Sequence, residues 1–134
     1  MPLVRIDLMP GRSAEQISAI ADSIQSTIVE IFGIPERDRF QVINELPVGR
    51  IIALDAGLGF ERSAGVVIVQ IFTQRGRDTA AKQRLYARLS ENLSTLDVAG
   101  EDLFVSYIEN GPEDWSFGFG EAQYVTGQLA VPRD

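Results

Sequence analysis

Residues 66–72 read VVIVQIF, a nearly continuous run of β-branched and large apolar side chains. A run that stays apolar at successive positions, without alternating, predicts a central strand covered by other elements. A helix should follow, capped by Asp78 or Thr79, with Leu85, Leu89, Leu93 and Leu96 along its buried side. Residues 103–109, LFVSYIE, then supply another strand and close a β-α-β unit.

The same order occurs upstream. Residues 3–8 alternate as a strand that starts directly after Pro2. Proline has no N–H for a sheet ladder and is tolerated at the first residue of a strand. Ser13 and Gln16 fit a capping box, Ile17, Ile20, Ala21, Ile24, Ile28 and Ile31 follow at helical spacing, and Gly33 stands where a C-terminal cap belongs. After the turn IPERDR, Phe40, Val42, Asn44 and Leu46 alternate with Gln41, Ile43 and Glu45 as a second strand. The two units start about sixty residues apart, a duplication and not a solenoid. Right-handed crossovers put both helices on one face of a four-stranded sheet, a pattern that a ferredoxin-like arrangement would share. Residues 47–65, with DAGLGF inside, form a connecting excursion. No linker divides residues 1–134, which read as a single α/β (α+β) domain.

Composition narrows the function. The formal net charge of −7 argues against nucleic acid or an anionic membrane as partner. No apolar stretch is long enough to span a bilayer, and Asp7 interrupts anything resembling a signal peptide, so a cytoplasmic location is expected. With no cysteine, disulfides, thiol nucleophiles and thiolate metal sites are excluded together. With no histidine, acid–base chemistry needs another group that titrates near neutrality. The α-amino group does so, and removal of Met1 would make it the secondary amine of Pro2, held by its ring at a strand end.

Other candidates have plain readings beside functional ones. Asp38 lies in ERDR, where a solvated turn carboxylate or a surface pair with Arg37 or Arg39 is the simplest expectation. Arg75 and Arg77 flank Gly76 in a loop. Trp115, Phe117, Phe119 and Tyr124 would serve equally in a core or a subunit interface. GLGF and GFG lack the strand and helix context of a phosphate-binding loop and read as turns.

The Pro2 start, the duplication, PERDRFQV, DAGLGFERS, IFTQRGR and ENGPEDWSFGFGEAQYVTG together resemble the malonate semialdehyde decarboxylases of the tautomerase superfamily. DWSFG with RDRFQ is specific to that branch, and the resemblance covers nearly the whole chain. It implies a homotrimer of β-α-β-β-α-β subunits, no metal or other cofactor, and a small carboxylate substrate, malonate semialdehyde, converted to acetaldehyde and carbon dioxide. Pro2 corresponds to the catalytic proline and Asp38 to the essential aspartate. Some members carry an Arg-x-Arg pair where Gln74 and Gly76 stand here. The chain fits instead the branch with Thr-Gln-x-Gly-Arg, running from Thr73 to Arg77, in which Arg77 is the substrate cation and Arg75 is additional. Trp115, Phe117, Phe119 and Tyr124 fall in the pocket-lining segment.

The chemistry suits these residue types. A 3-oxo acid loses carbon dioxide when its carbonyl accepts the electron pair, which a protonated Pro2 promotes by polarising the oxygen and a neutral Pro2 by forming an iminium ion. An arginine fork holds the carboxylate and orients the breaking bond. The same groups would serve a tautomerase, hydratase or dehalogenase acting on unsaturated or 2-oxo acids, and the fold also carries a non-catalytic interaction role.

Overall fold

The structure is a computed structural model in which residues 2–131 are described. Strand β1 (Leu3–Leu8) is followed by helix α1 (Ala14–Phe32), strands β2 (Phe40–Glu45) and β3 (Val67–Gln74), helix α2 (Thr79–Ser94), strand β4 (Leu103–Asn110) and a single-turn helix α3 (Gln123–Thr126). The sheet order is β2-β1-β3-β4. β1 and β2 are parallel, β3 and β4 are parallel, and the two units meet through the antiparallel pair β1–β3. β1 and β2 are direct neighbours, so this is not the split β-α-β sheet of ferredoxin-like folds.

Local chemistry explains the helix ends. The Ser13 hydroxyl accepts from Gln16 N at 3.1 Å while Ser13 N donates to Gln16 Oε1 at 2.8 Å, a complete capping box. Gly33 closes α1 at φ 64°, left-handed backbone that glycine adopts without strain. Asp78, rather than Thr79, caps α2 by accepting from Ala81 N at 2.7 Å. α2 stops at Ser94 because Asp97 takes φ 62° and turns Val98 into the core, leaving Leu96 beyond the helix. β2 ends at Glu45, one residue short of the sequence reading: Leu46 N still donates to Leu8 O, but Pro47 has no N–H to continue the ladder. β3 starts one residue late, at Val67, and runs through Thr73 and Gln74, which are strand residues.

Both main helices cover one face of the sheet. Ile20, Ile24 and Ile28 of α1 and Leu85, Leu89 and Leu93 of α2 bury against Val4, Ile6, Leu8, Val67, Val69 and Ile71. By register, the opposite face carries Leu3, Arg5, Asp7, Phe40, Val42, Ile68, Gln70, Phe72 and Phe104. There Arg5 Nε pairs with Asp7 Oδ2 at 3.2 Å, and buried Asp7 Oδ1 has no hydrogen-bond partner among the described residues. The excursion 47–65 is tied down by Arg62, which donates to Leu54 O and Glu101 O, and by Arg12, which donates to Gly65 O. It leaves Val48, Ile52, Leu54 and Leu58 exposed. Among the described residues no helix is long and apolar enough to cross a membrane.

Candidate active site

The topology gathers the candidates at one end of the sheet. The parallel register Leu3↔Phe40 puts Pro2 beside the residues that precede β2, among them Asp38. The antiparallel register Leu3↔Phe72 puts the same end of β1 beside the close of β3, where Thr73, Gln74 and the loop to Arg77 follow. Gln74 is paired with Asn110, so β4 delivers its chain at that end too, toward Trp115 and Phe117. Pro2 is buried. Removal of Met1 concerns a residue outside the described range.

Asp38 is 4% exposed, so it is not a solvated turn carboxylate. Its backbone is held from below: Gln25 on α1 donates from Nε2 to the carbonyls of Asp38 at 3.1 Å and Glu36 at 3.2 Å. Arg39 turns away and pairs with Asp22 at 2.8 Å. Burial pushes the Asp38 carboxyl up from its ordinary range, against the opposing pull of the chain's amino-terminal charge and of Arg77. Tyr124, 7% exposed, is pushed up to about 12 by burial and by the Asp38 carboxylate, with Arg77 pulling the other way. Asp38, Arg77 and Tyr124 therefore share one electrostatic environment, in which the phenol keeps its proton at neutral pH.

Arg77 is 7% exposed, unusual for an arginine in a loop. Its Nη1 donates to Thr73 Oγ1 at 3.1 Å and its guanidinium lies over the Phe32 ring, 4.5 Å from the centroid. The Thr73 hydroxyl in turn donates to Gln74 Oε1 at 3.1 Å, and both residues are fully buried. Gly76, at φ 142°, provides the backbone that brings Arg77 back inward.

Arg75 points elsewhere. Its side chain is exposed, near Glu113 at 3.9 Å. The aromatic segment divides in the same way. Phe117 packs face to face on Trp115 at 5.7 Å, edge-on against Tyr124 at 5.3 Å, and tilted against Phe40 at 5.8 Å. Trp115 Nε1 donates to Asn110 Oδ1 at 2.8 Å, and buried Gln123 clamps the loop by accepting from Phe117 N and donating to Gly118 O. Phe119 is fully exposed at φ 60° at the tip of the Gly118–Glu121 turn, outside this cluster. Among the described residues no group of three or more acidic side chains converges as a metal site.

The tautomerase enzyme family matches this chain in two overlapping stretches, residues 2–61 and 38–118. The chain belongs to the tautomerase family. A Bacillus subtilis relative named as a probable tautomerase, YrdN, is 42% identical over 130 residues, covering 96% of this chain and all of the relative. A malonate semialdehyde decarboxylase inhibited by 3-bromopropiolate superposes with a TM-score of 0.94 at 55% identity, covering 97% of this chain and 99% of its own. A second malonate semialdehyde decarboxylase, described with decarboxylase and hydratase activities, superposes at 0.91 with 33% identity, covering 96% and 99%. The tautomerase fold accounts for the four-stranded mixed sheet and its two covering helices.

Sequence reasoning missed Gln25, Phe32, Phe40, Asn110 and Gln123, all of which support the cluster. Gln25 carried a signal: it is a polar residue beside Ile24 on a helix whose neighbouring positions are core. Phe32, four residues after Ile28, reads as ordinary core.

Proposed function

We propose that this tautomerase-family enzyme decarboxylates malonate semialdehyde, with the Pro2 nitrogen, freed by removal of Met1, as its reacting group. The reading is carried by one observation: Pro2, buried Asp38 and buried Arg77 lie at the same sheet end in a chain 55% identical to such a decarboxylase.

In this account the Arg77 guanidinium holds the substrate carboxylate and sets the breaking C–C bond perpendicular to the aldehyde plane. Pro2 accepts the developing charge, either as an ammonium that hydrogen-bonds the carbonyl oxygen or as the nitrogen of an iminium ion. The bond pair moves into the carbonyl system and carbon dioxide leaves. The enol then takes a proton at carbon to give acetaldehyde, whereas the enamine takes that proton to become an iminium ion, which water hydrolyses to acetaldehyde and free Pro2. Asp38, which shares its electrostatic environment with Arg77, tunes the charge on Pro2, and Tyr124 keeps its phenolic proton. Trp115 and Phe117 form an apolar wall that leaves the departing carboxylate poorly solvated.

A second reading, tautomerase or hydratase activity on unsaturated or 2-oxo acids, is favoured by the 42% identical relative named as a probable tautomerase and by the paired activities of the 33% identical decarboxylase. Side-by-side assays with malonate semialdehyde, propynoate and an enol-pyruvate separate the two. Acetaldehyde release should dominate, and an intact first substrate beside turnover of the others would reassign the enzyme.

The subunit is proposed to work as a homotrimer in the cytoplasm. The uncovered sheet face, with Phe40, Val42 and Phe104 partly exposed and an unsatisfied Asp7 oxygen, supports burial against further copies.

A further inference from the structure

We propose that Phe32 is a positioning residue for Arg77, and that its ring sets how tightly and in what orientation the arginine receives a carboxylate. This rests on the reading of Arg77 as the substrate cation. Phe32 is the last residue of α1, fixed by the left-handed Gly33 that follows. Its ring sits 4.5 Å from the centre of the Arg77 guanidinium and meets Tyr107 of β4 edge-on at 6.2 Å. Tyr107 in turn lies under Lys82 Nζ at 4.8 Å, so the ring is braced from the sheet side.

Thr73 and Phe32 hold the guanidinium in unlike ways. Thr73 Oγ1 accepts one N–H at 3.1 Å and fixes one edge of the fork. Phe32 occupies one side of the cation and shields that side from water. Beside that hydrogen bond, the aromatic contact restrains the plane of the guanidinium. A cation with one side dehydrated and its plane restrained binds a carboxylate fork more tightly than a freely hydrated one, because less rotational freedom and less water are lost on binding. A threonine hydroxyl engaged with both Arg77 and Gln74 acts through the arginine, whereas a hydroxyl left to the pocket would touch the substrate.

The probe is malonate, a stable three-carbon carboxylate, titrated calorimetrically into the Pro2-exposed enzyme, with steady-state kinetics on malonate semialdehyde alongside. Phe32→Leu removes the ring and keeps an apolar side chain. It should weaken malonate about tenfold and raise KM in parallel, and Phe32→Tyr should restore both. Arg77→Ala should abolish malonate binding, and adding Phe32→Leu to it should change nothing more, because the ring acts only through the cation. If Phe32→Leu binds malonate like wild type while Arg77→Ala does not, or if Phe32→Tyr fails to restore binding in a protein that melts normally, the positioning role is wrong and the arginine seat stands. If Arg77→Ala binds malonate as wild type does, or wild type binds none, the arginine seat itself is wrong and the Phe32 proposal falls with it.

Discussion

The carboxamide of Gln25 donates to the main-chain oxygens of Asp38 and Glu36 at 3.1 and 3.2 Å, tying the candidate site to the core face of α1. Gln25→Leu would leave two carbonyls without that donor and free the turn that carries Asp38. The expected loss is about 2 kcal/mol of stability, with turnover falling more than KM changes. Thermal denaturation and steady-state kinetics on the same preparation check both, and an unchanged turnover would separate Asp38 from the chemistry.

Asp38 gives a pH prediction with a definite sign. Its carboxyl is raised chiefly by burial, so the folded state keeps the proton at pH values where the unfolded chain has released it. The associated stability is fully present below the ordinary carboxylate range near 3.9 and declines as pH rises through the raised folded value. Asp38→Asn removes that penalty. The variant should melt higher than wild type at about pH 7 and level with it at about pH 3, while turning over substrate far more slowly. Melting curves across this range decide the matter, and a variant less stable at neutral pH would contradict the burial account.

The two arginines of the β3–α2 loop should separate cleanly. Arg77 is buried against Thr73 and Phe32, whereas Arg75 reaches outward toward Glu113. Arg77→Ala should lower kcat/KM by more than about a hundredfold, because binding and bond orientation are lost together. Arg75→Ala should stay within about threefold of wild type. The reverse order would move the substrate seat to the exposed arginine.

Assembly is testable through the open sheet face. Light scattering at micromolar concentration should give three times the subunit mass, and Val42→Asp, which puts a charge on that face at the edge strand, should reduce it. A stable monomer would leave Phe40, Val42 and Asp7 unexplained.

Much of this architecture was legible in the sequence because it rests on local chemistry. The Ser13 box, Gly33, the isoleucine stripe and the leucines of α2 each declare their role through spacing, and VVIVQIF marks the central strand. The tautomerase motifs pointed to Pro2, Asp38 and Arg77. Burial of the last two was not legible, since ERDR and RGR read as solvated turns until β1, β2 and β3 bring their ends together. Phe119 shows the opposite limit: its neighbours Phe117 and Tyr124 turn inward, and a left-handed backbone between two glycines turns Phe119 out. The support from Gln25 and Phe32 depends on tertiary contacts that no periodicity encodes.

The central claim is that a free Pro2 nitrogen drives decarboxylation, and Met1 offers a direct switch. Acetaldehyde formed from malonate semialdehyde should be measured for two samples identical except that intact mass shows one beginning at Pro2 and the other retaining Met1. The Pro2 sample should release acetaldehyde and carbon dioxide in equal amounts, and the Met1 sample, whose proline nitrogen is an amide, should release neither above background. Equal activity in the two would contradict the account.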